Sequence, residues 1–145
     1  MAAASLAERF AAPGGRPLPV LEREVSELMS PGVISIVENA PMTRVFDAFA
    51  AHRVHGLVVC GGQTGRPIGW ITARGLLAWM GSARSAAARD AITERAVAVR
   101  PTATGEQALE ALLKEGVSHL LVQQTPSGGA EGVLSERDLV AASRR

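Results

Sequence analysis

The chain carries the same stretch of sequence twice, at a spacing of 63 residues. When residues 25–77 are aligned with residues 88–140 without a gap, nine of the 53 positions are identical. The identical pairs are Ala40/Ala103, Ala48/Ala111, Val54/Val117, Leu57/Leu120, Val59/Val122, Gly65/Gly128, Gly69/Gly132, Arg74/Arg137 and Leu76/Leu139. At most other positions an apolar residue replaces an apolar one, or a turn residue replaces a turn residue. An internal repeat predicts a repeated structural unit, so we expect two similar units.

Each copy shows five elements in the order β-α-β-β-α, predicted from β-branched runs, helical spacing and Gly-rich turns. In the first copy they are predicted at Val33–Val37, Pro41–His52, Leu57–Cys60, Ile68–Ile71 and Ala73–Met80. In the second copy they are predicted at Val97–Val99, Thr104–Lys114, Leu120–Gln123, Gly132–Leu134 and Glu136–Ala142. This order predicts a mixed α/β (α+β) fold. Each small sheet would leave one face uncovered, so the two copies are expected to pack as a pseudo-two-fold pair.

The helix ends can also be predicted. Asn39 and Thr102 are candidate caps for the first helix of each copy, and Pro41 is tolerated in a first turn. Gly116 is expected to end the second of these helices in a left-handed conformation. The chain is therefore divided into an N-terminal arm and linker (1–20), a first repeat (21–83) and a second repeat (84–145).

Composition excludes several classes of protein. Hydrophobic residues make up 47% of the chain and charged residues 20%, which indicates a folded domain and not a disordered one. No apolar run approaches the roughly 20 residues of a membrane-spanning helix, and the N-terminus lacks the pattern of a secretory signal. The net charge of +1 and the aromatic content of 3% disfavour nucleic acid and membranes as partners. The single cysteine, Cys60, cannot form an internal disulfide, which predicts a cytoplasmic location.

The most specific motif lies near the C-terminus. The run Gly132-Val133-Leu134-Ser135-Glu136-Arg137-Asp138-Leu139 resembles the most recognisable stretch of CBS domains, which has Gly, two apolar residues, Ser or Thr, two variable residues and Asp. The run Val25–Pro31 is similar to the lead-in of many first repeats, and Val99-Arg100-Pro101 before the second helix also agrees. The resemblance covers residues 25–142, and the chain therefore resembles a tandem CBS pair (a Bateman module), as found in bacteria.

The resemblance implies a function. In CBS pairs, clefts between the two repeats hold an adenosine-containing ligand such as AMP, ADP, ATP or S-adenosylmethionine, and no cofactor is required. By resemblance, the carboxylate of Asp138 would accept hydrogen bonds from the ribose hydroxyls. Ser135, at a helix start, and Arg137 would bind phosphate. The residues assigned to the adenine slot on the same basis are Ile92, Val97, Ser118 and His119.

A second interpretation of Ser135 and Asp138 needs no ligand. Ser at an N-cap and an acid three residues later form a capping box, which stabilises a helix start by itself. The two roles are compatible, and both stay open at the level of sequence.

The first repeat departs from the motif. Gly69, Thr72 and Arg74 are retained, but Gly75 stands where the acid is expected. Without that carboxylate the ribose loses its main anchor, and the bulky Trp70 could crowd the slot. Thr72 and Arg74 are therefore assigned to a weak or degenerate second site.

Other reactive side chains indicate no catalytic or metal centre. His52 and His55 have no Cys or paired carboxylate nearby in sequence to complete a metal site. Cys60 lies in an apolar strand and is predicted to be an inert thiol. No nucleophile is paired with a base, and no phosphate-binding Gly-rich loop is present, so the chain is predicted not to be an enzyme.

Two hypotheses for function follow. The first is a regulatory sensor that binds an adenosine-containing ligand, forms a homodimer and reports to an unidentified protein partner. The second is a protein–protein interaction module with vestigial nucleotide sites, which the absence of an acid at Gly75 favours. By resemblance, pairing would occur through helices, with Trp79 and Leu76 or Met42 and Phe46 as candidate contacts.

Overall fold

The computed structural model describes residues 11–12, 16–52, 54, 56–81, 85–126 and 128–144. Its strands are β1 (Ala11–Ala12), β2 (Arg16–Pro17), β3 (Ser30–Pro31), β4 (Ser35–Val37), β5 (Gly56–Cys60), β6 (Pro67–Thr72), β7 (Glu94–Arg95), β8 (Ala98–Val99), β9 (His119–Gln123) and β10 (Ala130–Ser135). Its α-helices are α1 (Val25–Leu28), α2 (Met42–His52), α3 (Ala73–Leu76), α4 (Gly105–Glu115) and α5 (Glu136–Ala142). Short 3₁₀ helices span Pro19–Glu22, Leu77–Trp79 and Ala88–Ala91.

The contacts divide the chain into two units. The central unit comprises Val33–Ala96, and the terminal unit combines the described residues up to Gly32 with those from Val97 onward. Each unit contains one four-stranded mixed sheet. The predicted mixed α/β fold with one small sheet for each copy is therefore confirmed.

The two sheets are built alike. In the central unit the strand order is β4-β5-β6-β7, with β4 parallel to β5 and the other neighbours antiparallel. In the terminal unit the order is β8-β9-β10-β3, with β8 parallel to β9 and the other neighbours antiparallel. In addition, β1 and β2 form a two-stranded antiparallel ribbon.

The fourth strand of each sheet, β3 or β7, is not predicted from the sequence. The strand β3 precedes the first repeat's predicted elements, but it pairs with β10 of the second repeat. Likewise β7, which precedes the predicted elements of the second repeat, pairs with β6 of the first. The repeat boundaries 21–83 and 84–145 remain a prediction about sequence organisation. The segment before the first predicted strand of each repeat, its lead-in, is grouped by its contacts with the other repeat.

Two glycines that are identical between the repeats make this pairing possible. A Cβ atom on Gly132 would lie 2.6 Å from the Ser30 carbonyl oxygen. A Cβ atom on Gly69 would lie 2.9 Å from the Glu94 carbonyl oxygen. Any larger residue would push the fourth strand away, so glycine at these positions has a structural reason that requires no ligand.

Helix caps differ in part from the prediction. The N-cap of α4 is Thr104 and not Thr102: its Oγ1 accepts from the Gln107 amide at 3.2 Å, and the Gln107 side chain accepts from the Thr104 amide at 3.0 Å. The reason is the reciprocal capping box, which Thr102 could not form with a helix that starts at Gly105. In α2 the Pro41 carbonyl accepts the first amide bonds, and Asn39 lies outside the helix.

Gly116 is confirmed as the left-handed end of α4, with φ of 65°. The closing helix of the second repeat has the predicted bounds. That of the first repeat is α-helical only as far as Leu76 and then narrows to a 3₁₀ turn at Leu77–Trp79. Gly75, a poor helix former, lies in its only α-helical turn, which explains why the helix is shorter than predicted.

Each unit has its own apolar core. The buried core of the central unit consists of Ala40, Met42, Val45, Leu57, Val59, Ile71, Leu76, Ala88 and Ala91. That of the terminal unit consists of Val20, Leu21, Val25, Leu28, Ala108, Leu112, Val117, Leu120, Val122, Leu134, Leu139 and Ala142. Met42 and Leu76 are therefore core residues and not the helix-surface contacts that the resemblance suggested. In the first repeat's closing helix the 3₁₀ turn interrupts the helical spacing, and the exposed apolar side chains there are Leu77 and Met80.

Candidate functional site

The predicted site is centred on the turn that joins β10 to α5. Ser135 is the N-cap of α5, and its Oγ accepts a hydrogen bond from the Asp138 amide at 3.1 Å. In return, Oδ2 of Asp138 accepts a hydrogen bond from the Ser135 amide at 2.9 Å. Both side chains are half-buried. The capping box proposed from the sequence is therefore confirmed, and it uses one of the two carboxylate oxygens of Asp138.

The neighbouring strand places two further predicted residues at this turn. His119 is paired in register with Ser135 across β9 and β10. The carbonyl of Ser118 accepts a hydrogen bond from the Glu136 amide at 3.0 Å. The side chains of Ser118 and His119 are hydrogen-bonded to each other, with 2.8 Å between Oγ and Nδ1. The His119 residue is only 9% exposed, so the orientation of its ring is restricted by packing as well as by this bond.

The remaining predicted adenine residues are divided between the units. Val97 lies in the terminal unit, where its carbonyl accepts from the Leu121 amide at 2.9 Å and its side chain packs against the core. Ile92 lies in the central unit and packs against that core. Within the terminal unit, His119 is thus the first residue of β9, with Ser118 just before it, beside the turn that carries Ser135, Arg137 and Asp138. Val97 precedes β8, the neighbour of β9 on its other side.

The start of α5 offers few amide donors for a phosphate. The Glu136 amide is used by Ser118, and the Asp138 amide is used by Ser135. The helix is also only seven residues long, so its dipole is small. The exposed side chain of Arg137 is the charged donor at this turn. It can supply a charge-assisted hydrogen bond without disturbing the capping box.

The equivalent turn in the first repeat is held differently. Thr72 caps α3, and its Oγ1 accepts from the Gly75 amide at 3.1 Å. The Thr72 amide donates to Oγ1 of Thr93 at 3.3 Å, and the two hydroxyl oxygens are 3.2 Å apart. Arg74 is exposed. Sequence reasoning missed Thr93, because it lies 21 residues after Thr72 and in no recognised motif.

The family model of the CBS domain matches the chain twice, over residues 25–82 and 88–145. The chain belongs to the CBS domain family. The two matched segments correspond to the two repeats found in the sequence, so the predicted tandem CBS pair is confirmed.

Solved structures of CBS domains have the same fold. The CBS domain of a bacterial CNNM/CorC family Mg²⁺ transporter in complex with ATP has a TM-score of 0.74 and 19% identity, over 88% of this chain and 91% of that one. A CBS domain protein from Pyrobaculum aerophilum complexed with AMP has a TM-score of 0.67 and 24% identity, over 80% and 89%. A CBS-domain protein from Agrobacterium tumefaciens has a TM-score of 0.68 and 22% identity, over 84% and 93%. A comparison with curated proteins by sequence gives no match.

The other reactive residues of this CBS pair form no second centre in the described ranges. Among the residues that the structure describes, no group of three His, Cys, Asp or Glu side chains could hold a metal ion. His52 ends α2, and His55 lies outside the described residues. Burial raises the pKa of the half-buried Cys60 thiol, and a hydrogen bond with Ser35 offsets part of this effect. No helix in the described part of the chain is long and apolar enough to cross a membrane.

Proposed function

We propose that this CBS pair is a non-enzymatic regulatory module that binds an adenosine-containing ligand through Asp138 of its second repeat. The observation that carries the proposal is the half-buried Asp138 carboxylate. One of its oxygens is engaged by the Ser135 amide. A carboxylate oxygen that is oriented in this way and not consumed by the cap is suited to accept hydrogen bonds from ribose hydroxyls.

The surroundings of Asp138 support this assignment. His119 and Ser118 restrict each other's side chains by their hydrogen bond, and both lie beside the Asp138 turn. The edge of the His119 ring could pack against an adenine base, and Val97 would add an apolar contact. Arg137, exposed at the same turn, would bind a phosphate. In this proposal all of these groups act by binding and orienting the ligand.

The ligand class is supported by the solved relatives. One was determined with ATP and another with AMP. We therefore propose AMP, ADP, ATP or S-adenosylmethionine as the ligand of this chain. We also propose that the chain is cytoplasmic, forms a homodimer and acts on a protein partner.

The test is a titration of the full chain with AMP, ADP, ATP and S-adenosylmethionine, followed by thermal unfolding and calorimetry. A ligand at about 100 times its Kd stabilises the fold by roughly 2.7 kcal/mol, which raises Tm by about 5–10 °C for a chain of this size. The informative variant is Asp138→Asn, because an amide oxygen can still accept from the Ser135 amide while the charge is removed. We expect it to weaken binding about 10- to 100-fold.

Asp90→Asn is the matched control. Asp90 accepts from the Ala87 amide at 2.9 Å at the start of the 3₁₀ helix Ala88–Ala91, so it makes the same bond to a cap amide, but it belongs to the central unit. We expect this variant to bind with wild-type affinity. If no ligand raises the Tm of the wild type, the proposed function is wrong. If Asp138→Asn and Asp90→Asn bind equally well, the site does not depend on Asp138.

The alternative function, an interaction module, is favoured by a different observation. Leu113 on α4 and Val140 on α5 are 55% and 67% exposed, although both are large apolar residues. Helix surfaces of this kind suit contact with another protein, including a second copy of the chain. Sedimentation of the wild type and of Leu113→Asp/Val140→Asp tests this function. The interaction function requires that the wild type sediments as an oligomer or complex and that the double variant sediments as a monomer.

A further inference from the structure

The two repeats satisfy the same backbone amide with different side chains. In the second repeat, the amide of the cap residue Ser135 donates to Oδ2 of Asp138 at 2.9 Å. In the first repeat the cap residue is Thr72, and Gly75 replaces the acid. There the amide of Thr72 donates to Oγ1 of Thr93 at 3.3 Å. A hydroxyl from the lead-in of the other repeat thus performs the function of the missing carboxylate.

The strand registers identify the counterpart of Thr93 in the terminal unit. Trp70 pairs with Glu94, and Val133, its equivalent in the repeat, pairs with Ser30. The residues preceding Glu94 and Ser30 are Thr93 and Met29, so by strand register Met29 occupies the position of Thr93, whereas the ungapped repeat alignment pairs Thr93 with Ser30. A thioether is a poor hydrogen-bond acceptor. The acceptor of the cap amide is therefore Asp138 in the terminal unit and Thr93 in the central unit.

Thr93 also occupies the space that a side chain at position 75 would need. A Cβ atom on Gly75 would lie 2.3 Å from Cγ2 of Thr93 and 3.2 Å from Oγ1 of Thr72. The Thr93 methyl group is held in this position by the bonds of its hydroxyl. Its Oγ1 accepts from the Thr72 amide and donates to the Trp70 carbonyl at 3.3 Å. The methyl group of Thr93 therefore faces the Gly75 backbone.

We infer that Thr93 replaces the missing acid of the first repeat and closes that repeat to nucleotide, so that the chain binds one ligand and not two. Thr93 is a specificity-determining residue in this sense: it supplies a neutral hydroxyl that stabilises the Thr72 turn, and it excludes any carboxylate from position 75. The stoichiometry rests on the proposed function, whereas the replacement of the acid does not.

The replacement is tested by unfolding experiments without ligand. Gly75→Ala forces the Thr93 side chain out of its position and breaks its bonds, so it should lower Tm by about 2–4 °C. Thr93→Ser removes the methyl group and keeps the hydroxyl. In this background Gly75→Ala should leave Tm unchanged or raise it, because alanine is the better helix former. Gly81→Ala is the control, because no atom lies within 4 Å of a Cβ at that position.

The variant Thr93→Val distinguishes the effect of the Thr93 hydroxyl group on Tm from the effect of the side chain's shape. It keeps a side chain of similar volume but leaves the Thr72 amide without its partner, and it should lower Tm. The inference is overturned if Gly75→Ala lowers Tm equally in the wild type and in the Thr93→Ser background, or if Thr93→Val unfolds at the wild-type temperature.

The closure is tested by the stoichiometry of binding of AMP and ATP in calorimetry. The wild type and Gly75→Asp should each bind one equivalent, and Gly75→Asp/Thr93→Ser should bind two. A second equivalent in Gly75→Asp alone, or a single equivalent in the double variant, would overturn the closure. If the wild type binds none of AMP, ADP, ATP and S-adenosylmethionine, the proposed function fails, and the unfolding experiments still decide whether Thr93 replaces the acid.

Discussion

His119 and Ser135 lie directly opposite each other in the antiparallel pair of β9 and β10. This register brings a buried imidazole to the residue that caps α5 and holds Asp138. Because the Ser118 carbonyl also binds the first amide of α5, the strand and the helix start are connected at two adjacent residues.

The first prediction concerns the stability of the Asp138 turn without ligand. Asp138→Ala removes the acceptor for the Ser135 amide and should lower the free energy of unfolding by about 1 kcal/mol. Asp138→Asn retains an acceptor and should lose less than half of that. Urea unfolding monitored by circular dichroism measures both. Equal losses in the two variants would mean that the charge, and not the hydrogen bond, stabilises the turn.

The second prediction concerns the strands exchanged between the repeats. Gly132→Ala places a Cβ 2.6 Å from the Ser30 carbonyl oxygen, which is part of the backbone and cannot rotate away. We expect a loss of about 1–3 kcal/mol, because β3 must shift from β10. Gly129→Ala, in the turn before β10, has open space at its Cβ and should be nearly neutral in the same urea experiment. Equal stability of the two variants would contradict the close approach of β3.

The third prediction concerns the folding of fragments. A fragment of residues 33–96 contains all four strands of the central sheet together with Ala88 and Ala91, which are 0% and 1% exposed. A fragment of residues 21–83, which follows the sequence repeat, lacks β7 and both alanines. We expect the first fragment to unfold cooperatively and the second to be largely unfolded, by circular dichroism during urea titration. The opposite result would mean that the contact units do not fold independently.

The fourth prediction concerns the pH dependence of Cys60. Burial raises its thiol pKa above the ordinary value of 9.0, so at pH 8 alkylation by iodoacetamide should be slower than in the urea-unfolded chain. Because the folded state holds the Cys60 proton more tightly than the unfolded state, the protonated thiol contributes to the free energy of unfolding, and this contribution is complete below the unfolded pKa. It is lost as the pH rises through the folded pKa.

Ser35→Ala removes the hydrogen bond that partly lowers the Cys60 pKa. The midpoint of the alkylation rate against pH should therefore move upward in this variant. A midpoint that moves downward would show that the Ser35 hydrogen bond does not lower the pKa of Cys60. Urea unfolding of Ser35→Ala serves as the control for any loosening of β4.

Much of the fold follows from local patterns. The two central strands of each sheet and the main helices have enough β-branched or helically spaced apolar residues to be predicted within two residues. Gly116 was predicted because a left-handed residue at a helix end favours glycine. The choice of Thr104 over Thr102 was missed, although the capping box that Thr104 forms with Gln107 is a local signal that the sequence carries.

The sequence by itself determined that the chain has two copies of one unit and that Asp138 in one corresponds to Gly75 in the other. It determined these points because burial patterns and cap residues act over a few neighbouring positions. Only the tertiary structure decided that β3 and β7 each complete the sheet of the other repeat, that Gly132 and Gly69 make room for them, and that Thr93 takes the place of the acid. Two-residue strands have no periodicity of their own, so their pairing depends on backbone hydrogen bonds to distant partners.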